Sequence, residues 1–222
     1  MSRKSYVHGS TQVALTNLTI GDYFDDIVKK HAGKDALVSC AESIHWTWQQ
    51  LHDQVQSTAA GFLAIGLVPG DRLAIWAQNS SAWLTTELAC AKTGIILVNI
   101  NPSARPAELV EQLNAVQAKG LIFQAQFKSS HYAQMLQELL PELTHSEIGQ
   151  LHAKAIPSLR HLIQIDDQAP AGMPDLKTVI DPGRMLPADA VAQAQASLSA
   201  DCIHNIQFSS ALGTHAAPVT LS

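Results

Sequence analysis

The stretch Pro69-Gly70-Asp71-Arg72-Leu73-Ala74-Ile75-Trp76, followed by Ser80 and then by Gly94-Ile95-Ile96-Leu97-Val98-Asn99-Ile100-Asn101-Pro102, decides the fold. Pro69-Gly70 is a turn dipeptide feeding a short apolar run over 72–76, which reads as a strand. Ser80 stands at an N-cap position, and Trp83, Leu84, Leu88 and Ala91 then recur at helical spacing until Gly94. Ile95–Ile100 is a continuous branched apolar run, the pattern of a strand buried on both faces. Strand, helix, strand with a buried second strand describes a crossover between parallel strands.

Working outward, the same alternation extends in both directions. Upstream, Thr19 caps a helix carrying Ile20, Tyr23, Phe24, Ile27 and Val28, which Gly33 is expected to close. Two short strands, 36–40 and 44–46, precede Thr47 and Gln50, whose spacing is that of a capping box. The helix behind them presents Leu51, Val55, Ala59, Phe62 and Leu63 and stops at Gly66. Downstream, Leu109, Val110, Leu113 and Val116 mark a helix, 121–123 a strand, and about 130–140 another helix. From about Thr144 prolines accumulate, with one good strand at 161–165. Residues 166–187 read as a surface excursion, 188–198 as a short helix, and 205–208 as a last strand. The sum is an α/β fold with a mostly parallel sheet covered by helices.

Bulk properties narrow the function. Apolar residues make up 46% of the 222 and charged residues 15%, which suits a packed core. The net charge of −5 comes without a basic patch or aromatic interleaving, so no nucleic-acid partner is expected. No apolar run is long enough for a transmembrane segment, and Met1-Ser2-Arg3-Lys4-Ser5 leads into no apolar signal core, which predicts a cytoplasmic protein. Cys40, Cys90 and Cys202 are widely spaced and read as buried thiols rather than disulfide or metal ligands. The ten histidines show no metal-ligand spacing. Trp46, Trp48, Trp76 and Trp83 read as core filler, Asp71 and Arg72 as local ion pairs or caps, and Arg105 with Glu108 as a pair one helical turn apart.

Three stretches, 70–79 with Trp83, 91–102, and Arg105 with Glu108-Leu109, match in order the N-terminal region of acyl-CoA synthetases. The last fits Asn-Pro-x-x-Arg-x-x-Glu-Leu. The chain is therefore identified as resembling the adenylate-forming, AMP-binding superfamily, the medium-chain fatty-acid type in particular. The resemblance covers about nine-tenths of the sequence and implies a partial adenylate-forming N-terminal domain. Residues 1–18 form an extended lead-in, and 19–222 an incomplete AMP-binding domain. Complete relatives use ATP and Mg to form an acyl-adenylate, then pass the acyl group to CoA; fatty acid and CoA are thus partners by resemblance.

The same resemblance places a phosphate loop after Phe208, where relatives carry Thr-Ser-Gly-Thr-Thr-Gly-x-Pro-Lys-Gly. Here Ser209, Ser210, Gly213 and Thr214 are the candidate cofactor-binding residues of a degenerate loop. In one alignment Ala211 and Leu212 replace glycine and threonine, and Ala216-Ala217-Pro218 replaces Pro-Lys-Gly. In the other, Ala211-Leu212 is an insertion and Gly213-Thr214 and Pro218 match. Either way the lysine is missing and close backbone approach to phosphates is compromised. The expectation is a truncated ATP-dependent fatty acid–CoA ligase, inactive alone and binding no cofactor productively, with no catalytic or metal residue assigned. The alternative is a non-catalytic interaction module that docks on a separately encoded synthetase remainder or another protein, or associates with itself.

Overall fold

The computed structural model describes residues 9, 12, 16–165, 173–209 and 217–222. Most of the lead-in, residues 166–172 and the centre of the loop after β9 therefore lie outside the described residues. Helix α1 (Ile20–His31) is capped by the Thr19 side chain, which accepts from the Asp22 backbone N–H. It ends at Ala32 in right-handed conformation, so Gly33 follows the helix without supplying a left-handed stop. Strands β1 (Asp35–Ser39) and β2 (Ile44–Thr47) form a separate hairpin. The expected capping box then opens α2 (Trp48–Ala64), with Thr47 and Gln50 satisfying each other's backbone N–H groups.

The main sheet starts at β3 (Arg72–Trp76) and continues through α3 (Ser81–Thr93) to β4 (Ile96–Asn99). Gly94 closes α3 at φ 71°, a left-handed conformation that glycine adopts without strain. A Cβ there would also come within 2.6 Å of Leu198 Cδ2, so the site excludes a side chain twice over. Helix α4 (Pro106–Ala115), strand β5 (Gly120–Phe123) and a two-residue-per-arm hairpin, β6 (Gln126–Phe127) with β7 (Ser130–His131), come next. That hairpin uses the residues expected to begin a helix, so α5 runs only from Tyr132 to Leu139. Strand β8 (His161–Gln164), helices α6 (Leu176–Ile180) and α7 (Ala190–Ala196), and strands β9 (Asn205–Phe208) and β10 (Pro218–Leu221) complete the chain.

Six strands form one sheet in the order β10-β9-β4-β3-β5-β8. The five from β9 to β8 are mutually parallel, and β10 returns antiparallel to β9, with Pro218 opposite Phe208. On one face α4 and α5 cover a cluster that includes Ala74, Val98, Leu121, Leu113 and Leu136. On the other, α2, α3, α6 and α7 cover Leu73, Ile75, Leu97, Ile122 and Ile163. Both faces of the central strands are dry, which is what continuous apolar runs require.

Two sequence readings in particular need correction. The described part of the 166–187 excursion is packed: Leu176 and Val179 are buried, and a Cβ on Gly183 would lie 2.5 Å from the Gly61 backbone N. Glycines at 61 and 183 let α2 touch the 3₁₀ turn Asp181–Met185 backbone to backbone. Of the cysteines only Cys90 is buried; Cys40 and Cys202 are exposed free thiols. The tryptophans pack with the core as read: Trp76 is fully buried, and the partly covered Trp46, Trp48 and Trp83 lie against the hydrophobic clusters. Among the described residues no helix is long and apolar enough to cross a membrane.

Candidate functional site

In an open parallel sheet, ligands bind beyond the carboxyl ends of the strands, where successive crossovers leave for opposite faces. Here that place lies between β3, whose crossover α3 covers one face, and β4, whose crossover α4 covers the other. A stacked aromatic pair stands at this edge: Trp76 and Tyr132, ring centroids 3.6 Å apart and ring planes nearly parallel. The Tyr132 hydroxyl donates to the Pro102 carbonyl in the loop after β4. Burial pushes the phenol up to about 12, so it stays a neutral donor. This pair fills space that could otherwise admit a ligand and fixes the β4–α4 loop to α5.

The neighbouring carboxyl end, that of β9, carries the candidate loop. Ser209 is exposed immediately after the strand, and its backbone N–H donates to the Ala217 carbonyl at 3.0 Å. This bond closes the β9–β10 hairpin around the intervening residues. Ser210, Gly213 and Thr214 lie outside the described residues, so of the four candidates only Ser209 is located. The sequence places no lysine or arginine between Phe208 and Ser222.

The motif residues upstream have scaffold roles. The Asp71 carboxylate accepts from the Val68 N–H at 2.9 Å and pairs with Lys119 at 2.6 Å. Arg72 donates to the carbonyls of Val116, Gln117 and Gly70, tying the start of β3 to the end of α4. Asn101 Oδ1 accepts from the Ser103 N–H, shaping the turn that Pro102 opens. Glu108 meets Arg105 through the backbone N–H at 2.8 Å, a helix-capping contact where a charge pair was expected.

Sequence reasoning missed a buried ion pair. Lys92 in α3, only 2% exposed at its side chain, meets both carboxylate oxygens of Asp25 in α1 at 2.6 Å. Gln195 in α7 donates to Asp25 at 3.0 Å and to Asp22 at 2.7 Å, and His52 in α2 lies 3.6 Å from Asp25. The Gln195 hydrogen bond is the main reason the Asp22 carboxyl is held below its usual range. Four helices thus meet on one polar knot. Its signal in sequence was a lysine inside Ala91-Lys92-Thr93-Gly94, a helix end otherwise apolar or small. On the other side of α3, Glu42 in the β1–β2 turn accepts from the Ser81 N–H and hydroxyl. Burial works against that carboxylate, but Ser39 and Ser81 bonds outweigh it and keep the pKa low. Among the described residues no set of three acidic, cysteine or histidine side chains could hold a metal ion.

Comparison with known proteins agrees with this scaffold. Residues 24–218 match the family described as AMP-binding enzyme. The medium-chain acyl-CoA ligase ACSF2, mitochondrial, of Rattus norvegicus is 35% identical over 218 residues, covering 98% of this chain and 35% of that protein. Its Homo sapiens counterpart is also 35% identical, covering 96% of this chain and 34% of that protein. The chain therefore spans about a third of the length of the curated relatives it matches. Among solved structures, the anthranilate CoA ligase AuaEII in complex with anthranoyl-AMP superposes at TM-score 0.71 with 19% identity, over 92% of this chain and 34% of the other. The N-terminal domain of FACL13 from Mycobacterium tuberculosis superposes at 0.68 with 18% identity, over 93% of this chain and 44% of the other. At those identities the structures speak for the fold alone.

Proposed function

The chain belongs to the AMP-binding enzyme family, and from that premise we propose that residues 19–222 are the N-terminal part of the catalytic domain of an ATP-dependent fatty acid–CoA ligase. The reaction of such a ligase joins a carboxylate to AMP, releases pyrophosphate, and transfers the acyl group to the thiol of CoA. The observation that carries the reading is the β9–β10 hairpin closed by Ser209 and Ala217, which brackets the residues aligned with the phosphate loop. Fatty acid, ATP, Mg and CoA are the ligands this reading assigns to the whole reaction.

Within these 222 residues the reading is a scaffold without adenylating activity of its own. A phosphate loop works through amides that approach the phosphates and a cation that meets their charge. The segment 209–217 offers Ala211, Leu212, Ala216 and Ala217, and no cation other than what His215 supplies when protonated. Removing one preorganised donor from a developing charge costs about 10²–10³ in rate, and here several are gone together. Calorimetric titration with ATP–Mg should return a Kd no tighter than roughly millimolar, about −4 kcal/mol. A low-micromolar Kd, or acid-dependent exchange of pyrophosphate into ATP, would overturn the inactive reading.

A second reading, a module that docks on another polypeptide, draws on β10. All four of its residues are exposed, with Val219 and Leu221 nearly half uncovered. Sedimentation of the 222-residue chain tests the self-associating form of this reading: a clean monomer at micromolar concentration disfavours it. The same proposal places the protein in the cytoplasm. Since the ACSF2 relatives carry "mitochondrial" in their names, cell fractionation is the deciding measurement.

A further inference from the structure

We draw no further inference here: the strongest candidate, the groove between the start of α1, the end of α3 and the segment leading into β9, with Leu18, Ile20, Leu198 and Ile203 on its walls, carries nothing, because nothing in the structure shows what covers it.

Discussion

The centre of the sheet and its β9–β10 edge are built to different standards. Strands β3, β4 and β5 are walled on both faces, and Leu73, Trp76, Leu97, Val98, Leu121 and Phe123 are fully buried. At the edge, Ile206 is the buried apolar residue of β9, and β10 presents every residue to solvent. Asn205 is 4% exposed, yet neither end of its amide has a protein partner. The centre is saturated with contacts, and the described part of the edge is thinly packed.

The contrast can be broken most forcefully at the centre. Trp76→Ala removes the largest fully buried side chain and its stack on Tyr132, and should cost about 3–5 kcal/mol. Urea denaturation should show much of the chain's stability lost. Asp25→Ala leaves Lys92 charged and buried without its carboxylate, a change that also costs about 3–5 kcal/mol in comparable sites. The paired variant Asp25→Leu with Lys92→Met should recover most of that loss, because the desolvated charges leave together. A double variant no better than Asp25→Ala would mean that the Gln195 and His52 contacts carry the knot.

A smaller effect appears with pH. Burial lowers the His161 pKa below its ordinary 6.5, with the Lys119 charge adding to it. In the unfolded chain the imidazole takes a proton near that value, while in the folded chain it resists. The unfolded state therefore binds more protons below about pH 6.5, and stability should fall as pH drops from 7 toward 5. His161→Gln should flatten this slope in urea titrations at the two pH values. At the edge, Val219→Ala should change stability by less than about 0.5 kcal/mol, the usual range for an exposed site. Hydrogen exchange sharpens the point: β10 amides should exchange well before those of β3 and β5. Equal protection would erase the contrast altogether.

Local chemistry was legible in the sequence. Thr19, the Thr47–Gln50 box, Ser80 and Gly94 each announce a helix end through a backbone group that only certain residues satisfy, and the structure uses all four. The three central strands follow from their length and branching. The packing of α6 and the Asp181–Met185 turn was not legible, because prolines and polar residues masked Leu176, Val179 and the close approach of Gly183 to Gly61. The Asp25–Lys92 pair joins residues 67 positions apart, and no local pattern marks such a partnership. Cys202 shows the same limit: its exposure is set by the turn it shares with Ser199. At the loop, the family match runs through residue 218, and of the four candidate residues the structure locates Ser209 alone.

The strand order also has a kinetic meaning. Strands β3, β4 and β5 all come from the first 123 residues, so the middle of the sheet can assemble while the chain beyond it is still unfolded. Strand β9 must then find β4 across more than a hundred residues, since Leu97 faces Asn205. Closing a loop of that length costs about 4 kcal/mol of chain entropy by logarithmic scaling, with Ile206 as the main apolar reward. The β9–β10 hairpin is thus the natural last arrival in refolding. Its docking onto β4 waits for the rest of the sheet.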